Sequence, residues 1–144
     1  PDRPPFGFEL APVAFLSGLL RTPAVSDRLY EIVLSWSPEE RRQVQLKAQT
    51  LDLSQKAFGA RTFHDWIEQL FSMALDGLTE WDAQSQTDHE RMFLEPFAES
   101  FLSNGPKSLQ IQKEFEKSDK LLKIYLRDRW LQQKQALGAA LKAA

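Results

Sequence analysis

The sequence contains no cysteine, only two histidines and no apolar run long enough to cross a bilayer. Without cysteine, the 144-residue chain has no disulfide, no zinc–thiolate site and no thiol nucleophile. A membrane-spanning helix needs about 20 consecutive apolar residues, so we expect no membrane association. The start has no basic segment followed by an apolar one, so it is not a signal peptide, and the cytoplasm is the default compartment. The chain begins without Met, which suggests a processed or excised piece.

The charge is small overall but unevenly distributed along the chain. The formal net charge is −2, yet residues 1–106 carry 9 Lys/Arg against 16 Asp/Glu, and residues 107–144 carry 9 against 4. The basic residues of the C-terminal part are spread around helical turns among Leu and Ile. A solvated helix face, or a match to the acidic part of the chain, explains this pattern better than an anionic partner does.

The spacing of apolar residues predicts an all-α fold of about six helices in a single domain. We find no strand-like alternation of useful length. The predicted domain covers residues 12–133, preceded by an extended, proline-rich lead-in over 1–11 and followed by a low-complexity tail over 134–144. Pro12–Leu20 is nearly all apolar, which predicts a short helix buried on most sides.

Local signals mark where several helices begin and end. Ser37, Pro38 and Glu40 form the clearest one, a capping box with proline at the first helical position. Thr22, Thr62 and Thr87 are predicted N-caps, Pro96 is predicted to kink or end its helix, and Asn104-Gly105-Pro106 is a predicted helix stop. The strongest apolar stripe follows Thr62, and further stripes precede Trp36, follow Thr87 and surround Tyr125.

The residues that could act in catalysis or bind a metal are better explained by structural roles. His64 and His89 lack a ligand partner three or four residues away, so a metal site is not expected. Glu39 and Glu40 occupy helix-capping positions rather than a cleft, and the serines have no histidine base at a meaningful spacing. We therefore assign no catalytic, cofactor-binding or metal-ligating residue to this chain.

A mixture of basic and aromatic side chains occurs late in the sequence, at Tyr125, Arg127, Arg129 and Trp130. Such a mixture could stack nucleic-acid bases. Acidic neighbours and the helical spacing instead favour core packing by Tyr125. We do not expect nucleic acid as a partner.

Five segments form an ordered series along the chain. They are "PVAFLSGLL" at 12–20, "WSPEERRQV" at 36–44, "DWIEQLFSMALDGL" at 65–78, "ERMFLEPF" at 90–97 and "DKLLKIYLRDRW" at 119–130. In order and spacing, this series resembles the C-terminal helical part of glutamate–cysteine ligases of the plant and proteobacterial type. Those enzymes show a Gly-Leu-Leu run, a helix opened by Trp-Ser/Thr-Pro-Glu-Glu-Arg, and a helix ending in Asp-Gly-Leu.

The resemblance implies a parent enzyme that joins the γ-carboxyl of glutamate to the amine of cysteine, the first step of glutathione synthesis, using ATP and Mg²⁺. The family's catalytic residues lie mainly on an upstream antiparallel sheet, so none carries over and this region binds no cofactor itself. Pro12–Leu20 would then dock the helices on that catalytic domain, and the chain alone would be inactive. The alternative is a stand-alone helical module that binds another protein through the same segment.

Overall fold

The computed structural model describes residues 7–50, 52–85, 90–118 and 120–143, and these residues are almost entirely helical. Within them no β-strand forms, and only an isolated bridge joins Lys56 to Thr62. The all-α prediction is therefore confirmed. The seven helices of the described ranges are α1 (Gly7–Leu20), α2 (Pro23–Leu34), α3 (Pro38–Ala48), α4 (Phe63–Ser85), α5 (Arg91–Asn104), α6 (Lys107–Glu116) and α7 (Leu122–Ala143).

The helices fall into two compact units that meet in sequence at the predicted helix stop. The described residues up to Gly105 form one unit with α1 to α5, and those from Pro106 onward form the other with α6 and α7. α5 ends at Asn104, and Gly105 adopts a φ of 75°, a left-handed conformation that glycine accepts without strain.

Local capping chemistry was predicted well from the sequence. The Ser37 hydroxyl accepts a hydrogen bond from the Glu40 backbone N–H, and the Ser37 backbone N–H donates to Glu40 Oε2 at 2.8 Å. At the start of α4, the Thr62 backbone N–H donates to Asp65 Oδ2 at 2.8 Å, while Thr62 Oγ1 accepts from the Asp65 N–H. Both arrangements satisfy N–H groups that a helix start leaves unpaired. The predicted cap Thr87 lies outside the described residues.

The core of the larger unit is built around the crossing of α1 and α4. α1 packs against both α4 and α5, and α2 packs against α1 and α4. The innermost residues on α1 and α4 are small or aliphatic, and the aromatic rings of Phe15, Phe97 and Phe101 lie edge-on around Phe71. The buried core residues of this cluster are Ala14, Leu19, Val25, Phe71, Met73, Ala74, Leu78, Leu94 and Ala98.

At this crossing the backbones of α1 and α4 touch. A Cβ atom added to Gly18 would lie 2.1 Å from the Ala74 carbonyl oxygen, and one added to Gly77 would lie 1.9 Å from the Gly18 carbonyl oxygen. No real Cβ tolerates such distances, so both positions require glycine for the helices to approach this closely.

Two predicted helix positions differ in the structure. α1 begins at Gly7 rather than Pro12, so residues 7–11 of the expected extended lead-in are helical and Pro12 lies inside the helix. Pro12 is the sixth residue of α1, past its first turn, so its ring costs the helix one backbone hydrogen bond. α5 runs through Pro96 to Asn104 without ending.

The burial of α1 and α5 was predicted incompletely. α1 is buried on one side only, because Val13, Leu16 and Leu20 are exposed. The stripe predicted after Thr87 consists of Met92, Phe93, Phe97, Phe101 and Leu102. The innermost residues of α5 are instead Leu94 and Ala98, and Met92 is exposed.

The C-terminal segment contains two helices, and the second extends beyond the predicted end of the helical domain at residue 133. The sequence predicts that the last helical segment breaks near Ser118, which can cap a second helix, and α6 does stop at Glu116 before α7 starts at Leu122. α7 then continues to Ala143, so the low-complexity segment is helical through that residue. Alanine and leucine have the highest helix propensities, which accounts for the continuation.

We expect Gly18→Ala and Gly77→Ala each to lower the free energy of unfolding by about 3 kcal/mol. The added methyl group meets backbone atoms that cannot rotate away. Urea unfolding monitored by circular dichroism measures the change. Ser72→Ala, at an exposed position of α4, is the control and should be neutral. Wild-type stability of both glycine variants would contradict the close crossing.

Thr22 gives a second test of the same region. Its side chain is 1% exposed, and its hydroxyl has no hydrogen-bond partner among the described residues. An unpaired buried hydroxyl costs free energy, so Thr22→Val should raise the free energy of unfolding by up to about 1 kcal/mol. Thr22→Ser, which keeps the hydroxyl and removes the methyl group, should lower it by about 1 kcal/mol. The opposite order would show that the hydroxyl is bonded.

Candidate docking surface

The chemistry-bearing side chains of the chain are dispersed. His64 lies at the start of α4, where its Nε2 is 3.4 Å from the Leu102 carbonyl oxygen, a contact that links α4 to α5. His89 lies outside the described residues. Across the described ranges, no group of three or more His, Asp or Glu side chains is placed to hold a metal ion.

Two carboxylates at helix starts, Glu40 and Asp65, have lowered pKa values because they cap their helices. Hydrogen bonds from the Ser37 hydroxyl and backbone hold the pKa of Glu40 below its usual value. Hydrogen bonds from the Thr62 backbone and hydroxyl do the same for the pKa of Asp65. A general acid at neutral pH needs the opposite shift, so the capping interpretation of Glu40 is supported.

An open groove of about 740 Å³ lies along α4. Its lining carries both signs of charge, from Arg28, Arg61, Asp65 and Glu68. Arg61 is already engaged by the Gln69 side chain and lies 5.2 Å from the centre of the Trp66 ring. The groove therefore offers no free cluster of one charge and no enclosed apolar floor.

The outstanding surface of the larger unit is the outer face of α1. Val13, Leu16 and Leu20 are 64%, 56% and 60% exposed, and Leu10 borders them at 42%. Their spacing of three and four residues places them in one row along the helix. No charged residue interrupts the helix between Leu10 and Leu20. We call this row the α1 stripe.

Three further apolar side chains are exposed on α2, the helix that follows α1 and packs against it. Tyr30, Val33 and Leu34 are all exposed, at 63%, 39% and 57%. Isolated apolar residues are common on protein surfaces, but a contiguous group of this kind marks an interaction site. The sequence predicts that residues 12–20 bind a partner, and the structure shows that Val13, Leu16 and Leu20 lie on the exposed side of that segment.

In the smaller unit, a polar cluster holds α6 to α7. Arg129 Nη1 donates to Glu114 Oε2, and the Tyr125 hydroxyl lies 3.1 Å from the same oxygen and 3.3 Å from the Ile111 carbonyl oxygen. The rings of Tyr125 and Phe115 pack edge-on with centres 5.3 Å apart. We call Glu114, Tyr125 and Arg129 the α6–α7 clamp.

Four residues, Tyr125, Arg127, Arg129 and Trp130, were considered as possible nucleic-acid contacts. The α6–α7 clamp engages two of them and leaves the other two outside it. Tyr125 is buried, as predicted, and Arg129 is committed to Glu114. Arg127 and Trp130 remain exposed. The apolar face predicted around Tyr125 is also divided, because Leu122 and Leu126 point away from the buried side of α7 and are exposed.

Comparison with known proteins finds no relative of this chain. The chain matches no family model, no curated protein sequence and no solved structure.

No helix in the described ranges combines the length and the apolar character that crossing a bilayer requires.

The clamp makes the smaller unit sensitive to acid. Hydrogen bonds from Arg129 and Tyr125 hold the pKa of Glu114 below its ordinary value of 4.5. A carboxylate with a lowered folded-state pKa stabilises the fold above its unfolded-state pKa, and this contribution is lost as the pH falls through the folded-state value. We therefore expect protection of α6 and α7 amides from hydrogen exchange to weaken as the pH falls below the ordinary Glu114 pKa of 4.5.

Glu114→Gln should reduce the protection at neutral pH and remove much of its pH dependence. Glu116→Gln, an exposed change on the same helix outside the clamp, is the control and should keep the wild-type dependence. An unchanged pH dependence in Glu114→Gln would show that the clamp does not stabilise the unit.

Proposed function

We propose that this chain is the C-terminal helical region of a glutamate–cysteine ligase-like enzyme, and that it serves as a scaffold rather than a catalyst. Its role is to cover an apolar surface of the catalytic domain with the α1 stripe. The observation that carries the docking role is the exposure of Val13, Leu16 and Leu20 on a helix whose other side is the core of the unit.

The family assignment rests on the ordered motifs, and their placement supports it. Gly18 belongs to the Gly-Leu-Leu run and Gly77 to the Asp-Gly-Leu run, two motifs nearly sixty residues apart in sequence. The structure brings these two glycines into backbone contact. The Trp-Ser-Pro-Glu-Glu-Arg motif forms the capping box of α3. Each of these motifs thus has a structural reason to be kept in a scaffold.

In the parent enzyme, the reaction would join the γ-carboxyl of glutamate to the amine of cysteine through a γ-glutamyl phosphate made from ATP. ATP and Mg²⁺ would be bound by the catalytic sheet. The described residues of this chain contribute packing and docking, which accords with the helix-capping roles of Glu40 and Asp65.

A second candidate uses the same face without the ligase. A stand-alone helical module would bury the α1 stripe, with the exposed apolar side chains of α2, against a different protein. The absence of charge from Leu10 to Leu20 favours an apolar, long-lived contact in either case.

A single charge on the stripe tests the proposal in the protein at its native length. We expect ADP release that depends on both glutamate and cysteine, and we expect Leu16→Glu to lower it at least roughly tenfold, because a docked carboxylate would be buried without a partner. Leu46→Glu on α3 is the matched control, since Leu46 is 49% exposed and lies outside the stripe. It should retain wild-type release.

The outcomes separate the two candidates. Wild-type protein that releases no ADP with both amino acids present would contradict the ligase. If Leu16→Glu, but not Leu46→Glu, then abolished a stable complex with another chain, the interaction module would be supported. Equal behaviour of both variants would contradict docking through the α1 stripe.

A further inference from the structure

A second exposed surface lies on α7, in the smaller unit. Leu122, Leu126 and Trp130 are 55%, 50% and 58% exposed. They recur every four residues, so they form one row along the helix. Tyr125, which packs against α6, lies on a different side. We call Leu122, Leu126 and Trp130 the α7 row.

Basic side chains run beside the α7 row. Lys123 and Arg127 each follow a leucine of the row by one residue, which rotates them by about 100° around the helix. The Lys134 ammonium lies 5.2 Å from the centre of the Trp130 ring and extends the row toward the C-terminus. An apolar row is therefore bordered by positive charge.

These cations are not used to hold the unit together. The ion pairs that span the unit use other residues, since Arg129 pairs with Glu114 and Lys120 with Asp128. Arg127 approaches only its neighbour Asp128, at 3.7 Å, and its side chain is 70% exposed. Within the described part of the chain, Lys123, Arg127 and Lys134 thus have no carboxylate partner across α6.

We propose that the α7 row binds an amphipathic helix of another protein whose apolar stripe is bordered by carboxylates. Leucines and a tryptophan at four-residue intervals are the anchors of helix-on-helix recognition, and tryptophan is enriched among residues that dominate binding energy. Flanking Lys and Arg pair with Glu across such an interface and set the choice of partner.

Two other occupants fit the charges less well. A second copy of α7 would place its own basic border against Lys123 and Arg127, which is repulsive. Nucleic acid would need more of the basic and aromatic side chains, but Tyr125 is buried and Arg129 is held by Glu114. The exposed apolar row also has no role in contacts with phosphates.

The test uses the full chain and a labelled synthetic helical peptide with a leucine stripe bordered by Glu. Peptides bordered by Gln or by Lys, and a DNA duplex, serve as comparisons, and binding is measured by fluorescence anisotropy. We expect saturable binding of the Glu peptide that weakens with added salt. The Gln peptide should bind at least roughly tenfold more weakly, and the Lys peptide should not bind.

Variants assign the binding to the α7 row. Trp130→Ala, and Lys123→Glu with Arg127→Glu, should each weaken binding of the Glu peptide at least roughly tenfold. Arg42→Glu with Lys56→Glu changes the net charge equally at exposed positions of the larger unit, and it should stay within about twofold of wild type. All positions are exposed, and circular dichroism checks that each variant is folded.

The proposal fails under any of three results. These are no saturable binding of the Glu peptide, equal binding of the Glu and Gln peptides, or tighter binding of the DNA duplex. Equal loss of binding in the Arg42/Lys56 control would also overturn it, because the attraction would then depend on net charge alone. None of these results bears on the α1 stripe, so the proposed function is tested separately.

Discussion

The contact between the backbones of α1 and α4 is the constraint on which the rest of the larger unit depends. Gly18 and Gly77 leave no room for a Cβ on either side, so the helices approach as closely as their main chains allow. Ala11, Ala14 and Ala74 complete this small-residue contact and are almost fully buried. Larger side chains lie beside this contact, where Phe71 of α4 and Leu94 of α5 belong to the same buried cluster.

The same constraint leaves part of the large apolar side chains of α1 on its outer side. α1 meets its own core through Ala11, Ala14 and Gly18, with Phe15 and Leu19 beside them. Val13, Leu16 and Leu20 add nothing to that contact and remain exposed. The helix can therefore serve two interfaces, one inside the unit and one on its surface. Such an arrangement suits the proposed scaffold role, in which α1 joins its own unit to another domain.

How far the sequence predicts this structure depends on the range of each interaction. The Ser37–Glu40 box and the stop at Gly105 depend on residues a few positions apart, and both were predicted with their positions. The stripe of α4 was predicted because its apolar period is long and regular. The free side of α1 was not, because an apolar helix carries no signal about which side meets the core. Leu94 and Ala98 were missed because the close approach of α1 depends on Gly18 and Gly77, which are distant in sequence.

The two exposed surfaces differ in the physics of the contacts that they can make. The α1 stripe lacks charge from Leu10 to Leu20, so its contact would depend on apolar burial and be nearly independent of salt. The α7 row is bordered by Lys123 and Arg127, so its contact would gain from long-range attraction and weaken as salt screens it. An uncharged surface suits a permanent attachment, because its stability lies in slow dissociation, whereas a charged border suits a partner that must be selected among others. If both proposals hold, the basic residues lie in the unit with the recognition surface, and the helix proposed to dock carries no charge from Leu10 to Leu20.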